Sequence, residues 1–424
     1  MERHDAVVVG AGHAGLAASH ELAVAGVEHV VLERGRIAET WRSQRWDSFR
    51  LNTMNAVNVL PGDDGHRTLP PDEFPPAAAF ADRLTRYAEA NRLPVREQTT
   101  VRAVTAVDGG FVVDIEPAGS FRPDSTERVA ARSVLVASGA QNVGRIPPVA
   151  SELPGRIRQL GALAYRRASE LPDGAVLVVG GGQTGAQVTE DLLDEGRRVF
   201  LVPSKVARCP RRHRGQDMLE RLLAGGVYDV TADALPDPAI RFARQPIISG
   251  VGEHGHTVSL QLLRARGATL LGRIRGVDGQ SLLLDDTVGE CIRFGDTGSA
   301  TFRRLADEVM LAAGLDLPPL DDDPWDAPHP DPESVHSPDR LDLAAEGIGT
   351  VIWATGVRGE FGYLPAEVLD DAGVPVHELG VAPLPGLFFL GLPWLTRRAS
   401  GIVYGIGRDA RMIADLVARR SGAG

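Results

Sequence analysis

The sequence predicts an α/β protein built from two Rossmann-like dinucleotide-binding domains, the second inserted in the first. Three observations predict it. DAVVVGAGHAG (5–15) reads as a strand running into a glycine-rich turn, and AVLVVGGGQTG (175–185) repeats it. Each is followed, much later, by an apolar strand that ends in a small-residue turn, Ala137-Ser138-Gly139 and Ala354-Thr355-Gly356. A pattern that recurs with its whole surrounding unit marks an internal duplication, so this chain of 424 residues carries two phosphate cradles.

The first cradle begins with Val7, Val8 and Val9, an apolar run that is too short for a helix and too continuous for an exposed strand. That is how a central parallel strand reads. Gly10, Gly12 and Gly15 fit GxGxxG: the first glycine permits a tight turn, the second lets backbone approach a pyrophosphate, and the third lets helix pack closely on strand. His13 and Ala14 complete the turn at the head of an alanine-rich helix over 14–25, whose N-terminal N–H groups face the phosphates. The strand HVVLERG ends at Glu33, followed by Arg34. A carboxylate about 20 residues beyond the first glycine accepts the ribose hydroxyls of an adenosine.

In the second cradle Gly180, Gly182 and Gly185 repeat the glycines, Gln183 and Thr184 fill the turn, and a helix is predicted over 186–195. The next strand ends at Val202 with no acid after it. Ser204, Lys205, Arg208, Arg211, Arg212 and Arg214 follow instead. A carboxylate would repel a 2′-phosphate, whereas a guanidinium fork holds one. The exchange therefore favours NADPH over NADH.

The remaining chain organises around these units. A helical stretch (78–91) and a meander that contains Val101 lead to the Ala137–Gly139 turn. The small turns, Ala137 with Gly139 and Ala354 with Thr355 and Gly356, let the chain pass beneath a bound nucleotide and cross between domains. This places a first domain at 1–150 and 341–424 and a second at 151–340, the latter with an insertion at 216–262. Residues 316–338, rich in Asp and Pro, read as a long solvated loop; His329 and His336 within it are not assigned to a metal. The formal charge of −11 argues against nucleic acid or an anionic membrane as partner. No apolar run approaches the roughly 20 residues of a membrane span, and no signal peptide is visible, so the expected location is cytoplasmic. Cys209 and Cys291 lack CxxC spacing, which excludes a dithiol redox centre of the disulfide-reductase kind. Two nucleotides without a dithiol point to FAD passing on electrons from NADPH.

At this point the sequence resembles the flavin-containing monooxygenase group. The resemblance rests on Gly10–Gly15 with Glu33, on ETWRSQRWDSFRLNT (39–53), on Gly180–Gly185, on WATG (353–356) and on GLFFLGLPWL (386–395). It looks closest to the bacterial branch of FAD-dependent oxidoreductases. The resemblance implies FAD and NADPH as cofactors, dioxygen and a small metabolite as substrates, and oxygenation of nitrogen or sulfur through a flavin C4a-(hydro)peroxide. Alternatives are Baeyer–Villiger or oxidative-decarboxylation chemistry, an NADPH-dependent electron-transfer reductase, and a flavin protein that has lost turnover. The oligomeric state stays open, with a homodimer among the options.

By the same resemblance, Thr40, Trp41, Arg42, Trp46 and Asp47 would lie along the flavin. Asn52 and Asn55 would hydrogen-bond the nicotinamide amide or the flavin edge. Gly391 and Leu392 would close the last flavin-domain strand, and Arg397 would stand by the flavin pyrimidine. Where Baeyer–Villiger relatives carry an Asp, Asn52 stands here. The family fingerprint FxGxxxHxxxF/W/Y keeps Tyr165 at its last position but has Gly161 at the histidine, either a neutral replacement or a change in the fate of the peroxide.

Overall fold

The computed structural model describes residues 1–118, 127–241, 247–250, 255–320 and 323–422. Parts of the 216–262 insertion and of the 316–338 loop therefore lie outside the described residues.

The first unit runs β1 (Glu2–Val9), α1 (His13–Val24), β2 (His29–Leu32), α2 (Ala77–Ala90), β3 (Val95–Arg96), β4 (Thr99–Val107), β5 (Gly110–Pro117) and β6 (Glu127–Val136). Its strands order β3-β2-β1-β6-β5-β4. The first four are parallel, and β4 and β5 return antiparallel as the expected meander. Val7 and Val8 are fully buried in the middle of this sheet, because β2 and β6 cover both edges of β1. Apolar residues on both faces are what a central parallel strand requires.

A short antiparallel ribbon, β7 (Val143–Gly144), starts the crossing to the second unit. There follow β8 (Arg158–Gly161), β9 (Ala175–Val179), α3 (Gln183–Asp194), β10 (Val199–Val202), β11 (Thr269–Leu270), β12 (Ile274–Asp278), β13 (Ser281–Leu284), α4 (Val288–Ala312), β14 (Arg340–Asp342) and β15 (Ile348–Trp353). The sheet β11-β10-β9-β15-β8 is parallel throughout. The meander β12-β13-β14 forms a separate sheet whose Leu282, Leu284 and Leu341 pack with Leu177, Val179 and Trp353. The chain returns through β16 (Val357–Arg358), which pairs with β7, and ends in β17 (Leu387–Phe389) and α5 (Val403–Ser421). β17 joins the first sheet beside β6, and α5 packs on α1. The second sheet is thus inserted within the strands of the first.

The duplication extends to backbone angles. Gly10 and Gly180 have φ of +102° and +125°, a region that favours glycine. Gly12 and Gly182 cap their helices at φ/ψ of −79°/−175° and −81°/−174°. A Cβ on Gly10 would stand 2.7 Å from the Ala137 carbonyl oxygen, and one on Gly180 2.2 Å from that of Ala354. Each glycine turn therefore presses on the small turn that ends its closing strand.

Two segments depart from expectation. The loop at 316–338 is not simply solvated: Asp326 is buried, held by Arg208 at 2.5 Å and by Ser299 and Arg303. A buried carboxylate persists only with such partners. The insertion reaches back to the first unit. Ala232 N–H donates to the Thr396 carbonyl (2.8 Å), Arg398 N–H to Val230 (2.9 Å) and Ala399 N–H to Tyr228 (3.0 Å). Among the described residues no helix is long and apolar enough to cross a membrane.

A crowded and an open cradle glycine together give a stability test. A Cβ on Gly185 would lie 1.9 Å from the Gly180 carbonyl oxygen, whereas one on Gly12 meets nothing within 4 Å. Thermal unfolding of nucleotide-free protein should show Gly185→Ala destabilised by roughly 1–3 kcal/mol and Gly12→Ala unchanged.

Candidate active site

The first cradle is preorganised by its own acid. Glu33 Oε2 accepts from Ala11 N at 2.7 Å and Oε1 from Gly35 N at 2.9 Å. Burial raises its carboxyl above the usual range, and those two hydrogen bonds oppose the rise. The carboxylate thus ties the end of β2 to the glycine turn, and Arg34 beside it is exposed. The open space over Gly12 is the place where backbone meets a pyrophosphate. At the head of α1, burial pushes the His13 imidazole down to about 4, with hydrogen bonding to the Gly401 backbone working the other way. Its Nε2 has no protein partner among the described residues. The C-terminal turn completes the cradle: a Cβ on Gly391 would stand 2.8 Å from that of Ala14, and Leu392 is buried. Gly139 (φ +87°) lies at the turn after β6. Val101, half-buried, lies at a bulge in β4.

The second cradle has no acid tie. A Cβ on Gly181 would meet Ser204 N at 2.7 Å, so Ser204 and Lys205 stand directly beside the glycine turn. Lys205 is half-exposed, and its ammonium pairs with Glu290 at 2.5 Å. The rest of the basic run is spent elsewhere. Arg208 is buried against Asp326 and Asp296. Arg211 is buried against Asp217 (2.7 Å) and over the Phe74 ring, so it is not free to hold a phosphate. Arg214 holds Asp307. Arg212 is exposed and reaches the Gly255 carbonyl at 3.3 Å.

The 44–52 segment of the first unit builds a seam with the second unit and reaches the mouth of its cradle. Asn52 Oδ1 stands 3.4 Å from Gln183 Nε2 and 3.5 Å from Gln187 Nε2, on the first turns of α3. Its carbonyl accepts from Arg211 Nη1 at 2.9 Å, and Gln183 Oε1 accepts from Ser249 N at 2.6 Å. Asn52 is thereby brought from the first unit to the mouth of the second cradle, where Thr184 follows Gln183 at the start of α3. Ala354 and Gly356 (φ +106°) flank Thr355, whose hydroxyl donates to the Arg145 carbonyl at 2.6 Å.

Several of the expected site residues have partners within the chain. Trp46 is buried in the core of the second unit with Ala162 and Tyr165, edge-on to Phe49 at 4.8 Å, and so packs the seam. Asp47 pairs with Arg167 and its N–H donates to the Arg166 carbonyl. Arg42 turns outward to Thr85 and Asp82. Trp41 packs edge-on to Phe80 at 5.2 Å beside half-buried Thr40. Tyr165 is fully buried, and its hydroxyl donates to Asp191 at 2.5 Å; Ser48 of the first unit donates to the same carboxylate. Tyr165 therefore fastens the seam. At Gly161 a Cβ would meet nothing within 4 Å, so a side chain there is not excluded by packing. Asn55 is buried and donates to the Pro70 carbonyl at 2.9 Å. Arg397 is half-buried, 3.4 Å from Thr396 Oγ1 and 4.0 Å from Asp229 and Asp409.

With this geometry in view, relatives can be weighed. The pyridine nucleotide-disulphide oxidoreductase family matches residues 7–218. The chain belongs to that family. It is 27% identical over 417 residues, 97% of this chain and 98% of the relative, to the "uncharacterized oxidoreductase CzcO-like" of Geobacillus kaustophilus. It is 33% identical over 208 residues, 46% of this chain and 47% of the relative, to indole-3-pyruvate monooxygenase YUCCA1 of Oryza sativa. A flavin-containing monooxygenase from Stenotrophomonas maltophilia shares the fold at a TM-score of 0.64, with 19% identity and 99% of each chain covered. This oxidoreductase thus has two nucleotide cradles, those of FAD and NADPH. Its cysteines form no redox pair: both are free and buried, and burial pushes Cys209 and Cys291 up to about 12 and 11.

His13 sets an acid limit. Its folded pKa of about 4 lies below the ordinary 6.5, so the stability it contributes is complete above 6.5 and lost as pH falls through about 4. Denaturant titrations of flavin-free protein should show an acid loss of up to roughly 3 kcal/mol over that window, flattened in His13→Gln.

Proposed function

We propose that this oxidoreductase is an NADPH- and O2-dependent flavin monooxygenase that oxygenates nitrogen or sulfur in a small metabolite. One observation carries the reading: Asn52 of the first unit stands at the mouth of the second cradle, 3.4 Å from Gln183, and neither cysteine is available as a redox relay. Electrons that enter from the nicotinamide then have no thiol to go to. FAD, when bound, accepts the hydride electrons and makes dioxygen reactive. The oxygenase names among the relatives support the same reading.

The chain's own groups bind, orient and exclude water. Gly10, Gly12, His13, Ala14 and Gly15 receive the FAD pyrophosphate, and Glu33, already fixed by Ala11 and Gly35, has lone pairs left for the ribose. Gly180, Gly182 and Gly185 receive the coenzyme pyrophosphate, with Ser204 and Lys205 at its 2′-phosphate. Asn52 and Gln183 offer amide groups to the nicotinamide, and Asn55 Oδ1, which is buried and without a partner among the described residues, is a second acceptor. The pairing of 228–232 with 396–399 closes one side of the seam against water, which an oxygen-activating site needs. On this reading, 1–150 with 341–424 is one domain and 151–340 the other.

Oxygen uptake with NADPH, followed with and without catalase, tests the reaction. The expected result is NADPH-dependent uptake, with less hydrogen peroxide released when an amine or thioether substrate is present. NADPH oxidation that proceeds unchanged without oxygen, given a protein electron acceptor, would replace it with a reductase.

The coenzyme assignment has its own check. Lys205→Ala should raise the KM for NADPH five- to tenfold, about 1–1.4 kcal/mol, and leave that for NADH unchanged. A similar rise for both coenzymes would remove Lys205 from the 2′-phosphate.

A further inference from the structure

Where the chain crosses between the units there is a cleft of about 470 Å³, lined by Gly144, Arg145, Ile146, Pro147, Thr355 and Arg358. It lies at the C-terminal end of β15, on the same edge of the parallel sheet as the Gly180–Gly185 turn. Arg145 is fixed at its backbone: its N–H donates to the Gly356 carbonyl at 2.9 Å and its carbonyl accepts from Thr355 Oγ1 at 2.6 Å. Its side chain runs past Gly356, with Cδ 3.8 Å from where a Cβ would stand. Its guanidinium has no ion pair or hydrogen bond among the described residues. Arg358 has only Glu360, at 3.8 Å. Acids outnumber bases 56 to 45 in this chain, so two guanidiniums left this free in one cleft are a local reversal of charge.

We propose that this cleft is a phosphate-binding site. Two guanidinium forks match the oxygens of a phosphate or diphosphate, the volume falls in the range of small-molecule sites, and this edge of an open parallel sheet is where nucleotides bind. A phosphate held by Arg145 and Arg358 would tie the outgoing β7 to the returning β16, and so bias how the units sit. The phosphate belongs either to the nicotinamide coenzyme or to a separate phosphorylated ligand. The inference does not depend on the oxygenation chemistry.

Calorimetric titration of FAD-loaded protein with inorganic pyrophosphate and with NADP⁺ tests it. Arg145→Gln and Arg358→Gln should each weaken pyrophosphate binding at least fivefold, with flavin content and unfolding temperature unchanged. Competition between pyrophosphate and NADP⁺, with NADP⁺ weakened in the same variants, assigns the site to the coenzyme's own phosphates. Pyrophosphate binding that persists in NADP⁺-saturated protein and falls only in the variants assigns it to a second ligand. Pyrophosphate affinity that is equal in the unmodified protein and both variants overturns the proposal. Arg358 is half-exposed, so its variant folds even if the one at Arg145 does not.

Discussion

The structure depends on one contact made twice: a glycine carbon pressed on the carbonyl of a neighbouring turn. Gly10 meets Ala137 and Gly180 meets Ala354, each at a distance no side chain would tolerate. Those contacts let the closing strands β6 and β15 lie against β1 and β9 while the glycine turn stays low at the sheet edge. The helix that follows can then aim its N–H groups across the same edge. Close packing of small residues is thus a condition for binding as well as for folding, and it explains why both units end on Ala-x-Gly.

Two cradles alone do not make a site, because their nucleotides must meet. The 44–52 segment ties the first unit to the second. It leaves the first unit, buries Trp46 in the core of the second, and is pinned by Ser48 and Tyr165 on one carboxylate of α3. Asn52 arrives at the mouth of the second cradle as a consequence. The insertion adds a second tie between the units by backbone pairing with 396–399. Several residues of the segment that resembles a flavin-contact motif therefore also hold the two units together. Orientation of this kind is a substantial part of what an enzyme contributes to a two-cofactor reaction.

The basic run after Val202 shows how charge in a sequence becomes divided in space. Lys205 stays at the cradle, while Arg208, Arg211 and Arg214 each find a buried or half-buried acid. Burying an aspartate such as Asp326 demands cations beside it, and the neighbouring run supplies them. Meanwhile two cations with few partners in one cleft, Arg145 and Arg358, come from short crossing segments where no cluster is visible.

What the sequence by itself determined was everything carried by local pattern: both strand–turn–helix units, the meanders, the Glu33 carboxylate, the missing second acid and the inserted topology. These follow from apolar periodicity and from glycines whose backbone angles other residues rarely adopt. Tertiary structure alone decided which polar side chains face a ligand and which face each other. Trp46, Asp47, Arg42 and Tyr165 look like site residues in the sequence, yet each is drawn to a partner distant in the chain. A polar group leaving water goes to whatever partner the fold brings within hydrogen-bond reach, and that distance is set by how the two units dock, which no local pattern encodes.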